Sequence, residues 1–583
     1  MSTDYDKAES IIDVFDYVIV GTGPSAIGIL LGLLEEISNV LSSKDNMASL
    51  SIAIVERGHG PPHGIATLSP HRWFEAANKS SSKSVRLYPS EIAGKVIDIP
   101  VGQGLGGSSN INACLCLPPL QQDLESWPDP YRSSLVSNAK YLTRIMEKNQ
   151  AIHHTSMGNT HNPYSVKNSI LNFRTTVPSL TTRDARTKKF VRRNYYDALL
   201  DPLLKKHPSL EKKLHWFRGH EAQRLLLKDD STRVIGIECI FTNGDHTSTY
   251  REIHAKKRVI LCAGAIETPA LLLVSELGHK EHLSGVGQHL MDQAILARIF
   301  FKLPSLKKKI KSPNGVAAIG HLSIVRDDCK RGSQIFQVFI TDPVGDSAAS
   351  IISLIIPMAL RPKWKRKILM NIVEIVLRCV KAILYVTFLY TPAGFLMEQL
   401  TTLTMISQMH PRSRGSVKVS LKNDRVPKMR GPKRRRDVTI EVDPKYLDDP
   451  QDRKDLKSAW DASGRISSSL FETFLSRIFS VLKFFRTESF WFGLYCRNLL
   501  LPYYHYSGTC AMITRTDNND NPNWVVDSSL KVRGHDGLYI CDASIFPTTI
   551  SNPPALTCAA LGYEFARLIF VEDDNKTARR KKS

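Results

Sequence analysis

Val14-Phe-Asp-Tyr-Val-Ile-Val20 runs directly into Gly21-Thr-Gly23-Pro-Ser-Ala26. The first run is apolar and rich in β-branched residues, which predicts a short buried strand, and the apolar residues after Ala26 have helical spacing. A strand, a glycine-rich turn and a helix in this order are typical of a dinucleotide-binding βαβ unit. In such a unit Gly21 permits the tight turn, Gly23 lets the backbone approach a pyrophosphate, and Ala26 keeps the helix close to the strand.

A second predicted strand, 51–55, ends in Glu56. In a dinucleotide-binding unit an acidic residue at this point bonds the ribose hydroxyls, while the N-terminus of the first helix offers free N–H groups to the phosphates. The alternative, a glycine-rich turn that binds no ligand, stays open on these residues alone.

Two further loops are built from small residues. The first is Gly102-Gln-Gly-Leu-Gly106-Gly107-Ser108-Ser-Asn-Ile-Asn112, and the second is Gly264-Ala265-Ile-Glu-Thr-Pro269, which follows a buried strand at 258–263. Small residues at this density bring a backbone against a flat or anionic ligand. A glycine-rich surface loop is the alternative for the first, but it leaves its cluster of Ser and Asn side chains unexplained.

The region from His505 to Pro554 combines a strand with two polar side chains. It begins with His505-Tyr-Ser-Gly-Thr-Cys510, passes an apolar run at 538–541 to Asp542-Ala543, and ends at Asn552-Pro553-Pro554 before an apolar-periodic helix to 570. Imidazole suits proton transfer because its pKa lies near neutrality. Asn552 precedes two prolines, so it suits the N-cap of that helix, and capping alone is a sufficient explanation for it.

Taken together, these motifs resemble those of the glucose–methanol–choline (GMC) oxidoreductases. The loops at 102–112 and 264–278 resemble the two diagnostic motifs of that family, and 505–554 resembles its C-terminal active-site region. Further matches are 287–292, 411–415 and 443–447, so the resemblance covers residues 16 to 569. Gln103, Cys116 and Glu276 depart from the family's usual residues and affect local loop geometry.

The resemblance implies an FAD-dependent enzyme that oxidises an alcohol to an aldehyde or ketone by hydride transfer to flavin N5. It implies that His505 is the catalytic base and that Asn552 bonds the substrate oxygen. FAD is expected to be non-covalent, because Ile111 stands where some members carry a flavin-linking His. The residues implied to bind FAD are Gly21, Gly23, Ala26, Glu56, Gly106, Gly107, Ser108, Asn112, Glu221, Ala222, Ala265, Asp542, Ala543 and Pro553.

The predicted fold class is mixed α/β (α+β). It comprises a Rossmann-like FAD-binding domain and a substrate-binding domain built on a largely antiparallel sheet. The FAD-binding domain is predicted over 14–300 and 498–572, with an excursion near 125–190, and the substrate-binding domain over 301–497. Strand-like runs at 334–341 and 417–421 belong to the second domain, 425–436 is predicted to be a surface insertion, and 573–583 is a basic tail.

Composition and charge limit the partners. The chain has 583 residues, 42% of them hydrophobic, and a net charge of +22 that is concentrated in short Lys/Arg runs, which predicts a soluble globular protein with solvated basic loops. The runs lack interleaved aromatic residues, so no nucleic-acid partner is expected. The ten cysteines sit mainly in apolar runs and no signal-peptide core follows the N-terminus, which predicts an intracellular protein, cytoplasmic or peripheral on a membrane, with no metal site.

A segment at 366–392 has the pattern of an amphipathic helix and follows the basic run 361–367. Its uncharged part is too short to span a bilayer. A basic flank beside such a helix fits a membrane-surface contact, whereas a helix packed under the substrate-binding domain is the alternative.

Three functions therefore remain open. The first is alcohol oxidation, with oxygen or a quinone as electron acceptor. The others are a non-redox or light-driven reaction of FAD in the same family, and a catalytically silent FAD-binding protein. The pairing of His505 with Asn552 favours catalysis, and the sequence does not identify the alcohol.

Overall fold

The structure is a computed structural model. It describes residues 11–41, 50–60, 68–70, 76, 85–92, 95–156, 164–166, 169–173, 176–228, 232–242, 248–277, 283–301, 316–324, 334–341, 376, 379–380, 382–383, 386, 401–422, 433–466, 492–493, 496, 500–517 and 523–582. Of the predicted amphipathic segment 366–392, only six residues are among those described, so the rest of that prediction lies outside them.

In chain order the strands are β1 (Ile11–Val20), β2 (Ile52–Glu56), β3 (Val85–Ile92), β4 (Lys95–Gly102), β5 (His153–Ser156), β6 (Tyr164–Val166), β7 (Ser169–Phe173), β8 (Thr176–Ser179), β9 (Thr181–Arg183), β10 (Phe190–Arg192), β11 (Leu214–Arg218), β12 (His220–Leu227), β13 (Val234–Thr242), β14 (Ser248–Leu261), β15 (Ala294–Phe301), β16 (Val316–Ile324), β17 (Gln334–Thr341), β18 (Thr401–Gln408), β19 (Ser416–Leu421), β20 (Val438–Asp443), β21 (Leu500–Pro502) and β22 (Leu538–Ile540). The α-helices are α1 (Pro24–Leu41), α2 (Tyr131–Lys148), α3 (Asp201–Lys206), α4 (Pro208–Glu211), α5 (Gly264–Val274), α6 (Pro450–Ile466) and α7 (Pro554–Lys582).

The first large sheet carries the predicted dinucleotide-binding unit. Its strand order is β11-β2-β1-β14-β13-β12, with β22 beside β14. The pairs made by β1, β2, β11 and β22 are parallel, whereas β12, β13 and β14 form an antiparallel meander. The strands β1, β2, β14 and β22 therefore end at one edge of the sheet, where a ligand of a parallel α/β sheet binds.

Helices α1 and α7 pack against each other on this sheet at backbone distance. A Cβ on Gly28 would stand 2.0 Å from the Ala559 carbonyl oxygen, and one on Gly562 would stand 2.0 Å from the Ser25 carbonyl oxygen. Among the described residues, the helical stretch Pro554–Asp573 is long and apolar enough to cross a membrane, but 67% of it is buried inside the protein. It is accordingly a core helix of the FAD-binding part. Helix α7 continues to Lys582, so it includes most of the predicted basic tail.

The second large sheet has the order β21-β15-β18-β17-β16-β7-β6 and is antiparallel throughout, which confirms the predicted antiparallel sheet. Strands β6 and β7 come from the predicted excursion, so residues far upstream complete this sheet. Strand β21 forms its other edge and leads directly towards residue 505.

The strands β19 and β20 differ from the prediction. Among the described strands they form a two-stranded ribbon of their own instead of extending the second sheet, and Val417, Ile440 and Val442 pack against Ala265, Ile266 and Ala270 of α5. The apolar face of this ribbon is therefore buried against the dinucleotide-binding part of the chain.

Candidate active site

The glycine turn after β1 leaves open space in front of α1. Gly21 has φ +101°, and a Cβ there would lie 2.5 Å from the Cys262 carbonyl oxygen, so only glycine fits. A Cβ on Gly23, by contrast, would meet only that same oxygen at 4.0 Å, and it would point into a cavity of about 320 Å³. Helix α1 begins at Pro24, so its unpaired N–H groups and the positive end of its dipole lie beside this space.

The second glycine loop packs onto the first. Gly106 N donates to the Thr22 carbonyl at 3.0 Å, and a Cβ on Gly107 would stand 2.8 Å from Gly23 Cα. The Ser109 hydroxyl donates to Gly106 O at 2.6 Å, and Asn110 Nδ2 donates to Leu105 O at 3.0 Å. Ser109 and Asn110 thus hold the loop together, and Ser108, Ser109 and Asn112 line the cavity.

Glu56 ties the end of β2 to both glycine loops. Its Oε1 accepts from Gly58 N and Gly104 N, each at 2.8 Å, and its Oε2 accepts from the Thr22 hydroxyl at 2.6 Å. Each carboxylate oxygen has two acceptor positions, so Oε2 keeps one for a hydroxyl in the cavity. This geometry is compatible with the predicted contact to a ribose.

A cluster of charged side chains lies at the same end of the cavity. Glu267 is paired with Arg57 and with Arg435, whose Nε lies 2.9 Å from Oε2, and Arg86 is paired with Glu221. Burial alone would raise the pKa of Glu267, but the three guanidiniums together lower it to about 2. Arg435 is 8% exposed.

The buried position of Arg435 corrects the prediction that 425–436 is a surface insertion, at least for its described end. Arg434 pairs with Glu238 at 2.6 Å, and Lys433 with Glu276 at 3.1 Å. These basic residues meet acidic residues because the β19–β20 ribbon packs on α5. Arg435 joins this segment to Glu267 on the cavity wall, Arg434 joins it to Glu238 on β13, and Lys433 stays exposed to solvent.

The end of β22 joins two of the loops. Asp542 Oδ2 accepts from Gly264 N at 2.8 Å and from the Thr268 hydroxyl at 2.6 Å, and Oδ1 accepts from Ser544 N at 2.8 Å. Burial raises the pKa of Asp542, and these donors oppose that effect. A Cβ on Gly264 would meet no atom within 4 Å, so this loop also faces the open cavity.

His505 lies on the cavity wall opposite these loops. Its ring packs on Tyr503 in a tilted arrangement with centroids 3.9 Å apart, and its buried Nδ1 has no hydrogen-bond partner among the described residues. Burial lowers the pKa of His505 to about 3. The imidazole is therefore neutral at physiological pH and able to accept a proton, but its burial makes it a weaker base than an ordinary imidazole, whose pKa lies near neutrality.

Asn552 is completely buried and bridges two parts of the chain. Its Nδ2 donates to the Pro118 carbonyl at 2.6 Å, and its Oδ1 accepts from Gln337 Nε2 at 3.3 Å. Helix α7 begins at Pro554, so its N-cap is Pro553, and Asn552, which was predicted as the N-cap, lies one residue before it. The tie to Gln337 on β17 connects this residue to the second sheet.

The predicted site residues divide into two groups. Those that line the cavity are Gly21, Gly23, Glu56, Gly107, Ser108, Asn112, Glu221, Ala222, Ala265, His505, Asp542, Ala543 and Pro553. Ala26, Gly106 and Asn552 are buried behind the lining. Arg57 and Arg435 were not predicted from the sequence, and a basic run that follows a proline gives no signal that it will pair with a helix.

These residues fit FAD. The glycine cradle leaves room where side chains would block a ligand, a helix N-terminus faces it, and a carboxylate with a spare acceptor position stands at one end. Gly21, Gly23, Gly107 and Ser108 would hold the pyrophosphate, and Glu56 the ribose. Ile111 lines the same cavity and offers no nucleophile for a covalent link.

Comparison with known proteins identifies the family. The N-terminal model of the GMC oxidoreductases matches residues 15–172 and 205–295, and the C-terminal model matches 411–562. The chain therefore belongs to the GMC oxidoreductases, FAD-dependent enzymes that act on CH–OH groups of donors.

Individual relatives are distant. Choline oxidase from Arthrobacter globiformis is 24% identical over 320 residues, which cover 49% of this chain and 56% of that protein. An uncharacterised GMC-type oxidoreductase from Mycobacterium tuberculosis is 24% identical over 515 residues, 82% of this chain and 87% of the other. Versicolorin B synthase from Aspergillus parasiticus is 27% identical over 359 residues, 58% of this chain and 50% of that protein.

Solved structures share the fold. Pyridoxine 4-oxidase from Mesorbium loti superposes with a TM-score of 0.60 at 18% identity, covering 95% of this chain and 99% of the other. A variant of formate oxidase from Aspergillus oryzae gives a TM-score of 0.63 at 16% identity, covering 97% of this chain and all of the other.

Proposed function

We propose that this GMC oxidoreductase oxidises an alcohol to an aldehyde or ketone, with His505 as the base that takes the hydroxyl proton. The observation that carries the proposal is the buried imidazole of His505, whose Nδ1 has no partner in the part of the chain that the structure describes, on the wall of the cavity that the three glycine-rich loops also line. The chain covers only 56% of the choline oxidase it matches, so the substrate is not inferred from that relative.

Bound FAD would supply the hydride acceptor, and the protein supplies position and proton transfer. His505 accepts the proton as the C–H bond of the carbinol breaks, so that the carbonyl forms without an alkoxide standing free. FAD is proposed to bind without a covalent link, since Ile111 stands at the position concerned.

Asn552 is proposed, from the resemblance to the family, to bond the substrate oxygen. Its amide contacts Pro118 and Gln337 directly behind the residues that line the cavity. The bridge to Gln337 would then also orient the amide towards the substrate.

The proposal is tested with His505→Ala. This variant is expected to purify with FAD at the wild-type ratio, because the glycine loops, Glu56 and the start of α1 that would hold the cofactor are left unchanged. Its anaerobic flavin reduction by the best alcohol of a panel should fall by at least about two orders of magnitude. His154→Ala, which changes an exposed histidine paired with Glu147, is the matched control and should reduce at the wild-type rate. Unchanged reduction in His505→Ala would refute the base assignment.

A non-redox or light-driven reaction of FAD is the second candidate, because one relative is named a synthase instead of an oxidase. Under this alternative the purified protein is yellow, but no alcohol of the panel bleaches it in the dark. A silent FAD-binding protein gives the same result and, in addition, no product from any substrate under light. For the oxidative reaction, re-exposure to air separates oxygen, which restores the colour quickly, from a quinone acceptor.

A membrane-surface contact is a further part of the proposal. Val376, Ile383 and Val386 are helical and 53%, 63% and 53% exposed, and their spacing places them on one helical face. Exposed apolar residues that follow a basic run fit an anionic lipid surface. Val376→Glu/Ile383→Glu should lose co-sedimentation with anionic liposomes, whereas Leu421→Glu, which changes an exposed apolar residue on β19, should not. If both variants co-sediment equally with the liposomes, the proposed membrane-surface contact is refuted.

An intracellular location is proposed on the state of the cysteines. Of the nine described cysteines, eight are buried and all are free thiols. Free thiols in such number are typical of a reducing compartment.

A further inference from the structure

The backbone around His505 is bulged against the segment that leads into β15. Tyr503 N donates to the Gln293 carbonyl at 2.9 Å, and Ser507 exchanges two hydrogen bonds of 2.9 Å with Met291. Between these two points of contact one segment has a single residue, Asp292, while the other has three, 504 to 506. Two extra residues therefore bulge out of the pairing, and His505 is the middle residue of the bulge.

The bulge has a strained backbone. Tyr504 has φ +64°, in the left-handed region that residues other than glycine rarely adopt. The turn also removes the N–H groups of Tyr504 and His505 from the ladder, so both need another acceptor in the protein interior. A backbone of this kind persists only where its surroundings hold it in place.

The carboxylate of Asp292 occupies the bulge and accepts from both groups. Oδ1 accepts from His505 N at 2.8 Å, and Oδ2 accepts from Tyr504 N at 3.2 Å and from the Tyr446 hydroxyl. Asp292 is 4% exposed. All three partners are hydrogen-bond donors, and an ionised carboxylate only accepts hydrogen bonds. The donors in the bulge are therefore complementary to the ionised form of Asp292.

The side chain of His505 has no comparable support. Its Nδ1 has no partner among the described residues, and the ring packs on Tyr503. A general base is commonly oriented through its second ring nitrogen by a hydrogen-bonded partner. Here the backbone N–H of His505 donates a hydrogen bond to Asp292.

We propose that Asp292 is a positioning residue that sets the place of the His505 imidazole by holding the strained Tyr504–His505 turn, with Tyr446 fixing the carboxylate. The inference rests on the proposed function of His505 as the base. It assigns a role to Asp292 at the end of the motif 287–292, which the sequence analysis noted but did not use.

The test is a double-mutant cycle between Asp292→Asn and His505→Ala. The amide keeps the size of the side chain but replaces an acceptor by a donor that faces N–H or O–H groups. Asp292→Asn alone should keep FAD and slow anaerobic flavin reduction by about 10- to 100-fold. In the His505→Ala background the same change should have no further effect, because a base that is absent cannot be misplaced. Asp452→Asn, at a buried carboxylate that accepts from Arg412 N and Ser413 N away from the cavity, is the matched control.

An additive effect in the double variant overturns the inference, since Asp292 would then act on the fold as a whole. If Asp292→Asn does not fold, the cycle is run with Tyr446→Phe, which removes one donor and is expected to slow reduction several-fold only when His505 is present. A crystal structure of the Asp292→Asn variant should show Tyr504 outside the left-handed region, and retention of φ near +64° would also overturn the inference. Wild-type reduction rates in His505→Ala alone would instead refute the proposed function, so the two failures are distinguishable.

Discussion

Replacing Glu267 by Gln removes the centre of the charged cluster that fastens the β19–β20 ribbon to α5. The pKa of Glu267 is lowered from 4.5 to about 2 in the folded protein. At about 1.4 kcal/mol per pKa unit, the shift corresponds to roughly 3 kcal/mol of stability. Its side chain is only 10% exposed, so solvent screening reduces this value little. Because the folded pKa is the lower one, this stability is fully present above pH 4.5 and is lost as the pH falls towards 2.

The assay is thermal unfolding of the holoprotein at pH 7, 5, 4 and 3. Unfolding entropies of about 2.1 cal/mol/K per residue convert 3 kcal/mol into a melting-temperature loss of about 2 to 3 °C at pH 7 if all 583 residues unfold together. The difference between wild type and Glu267→Gln should shrink to less than half by pH 3. Glu441→Gln, which changes an exposed acid on the same ribbon, should leave the melting temperature unchanged. A gap that stays constant from pH 7 to pH 3 would refute the assignment of the pKa shift.

Three further predictions concern the cavity and the base. Gly23→Val should abolish FAD binding, measured by flavin fluorescence titration of a folded apoprotein, because its methyl groups would fill the space in front of α1. Asn552→Ala and Gln337→Ala should both slow flavin reduction if the bridge orients the amide, whereas a purely structural bridge would lower the melting temperature and leave the reduction rate intact. Burial raises the pKa of Asp292 to about 7, whereas the pKa of His505 lies near 3. A fall in the reduction rate below pH 7 should therefore come from protonation of Asp292, and it should disappear in Asp292→Asn.

Much of the fold was predictable from the sequence because it depends on local chemistry. Gly21 and Gly23 can be recognised from the turn they permit, and Glu56 from its place at the end of a buried strand. The pairing of β7 with β16 was not predictable, because it joins residues separated by more than 140 positions and nothing in their composition specifies the partner.

The part of the candidate site that was predicted from the sequence also depends on local chemistry. His505 and the glycine loops carry motifs, and they line one cavity in the structure. Arg435 and Asp292 act through tertiary contacts. A basic residue in a polar run and an acidic residue before a strand are compatible with many structural roles, so a role at the site cannot be predicted until the packing is known. Asn552 was predicted as an N-cap, but the helix starts at Pro554. The side-chain amide of Asn552 contacts Gln337 instead.

The most direct test of the central claim is anaerobic titration of the purified wild-type protein with an alcohol panel of short and long aliphatic alcohols, a sterol, choline and a sugar. The account predicts that the protein is yellow, that one class of alcohol bleaches its visible flavin band in the dark, and that an equivalent amount of aldehyde or ketone appears. A colourless protein, or a yellow one that bleaches with no alcohol while a photochemical or non-redox product forms, would contradict it.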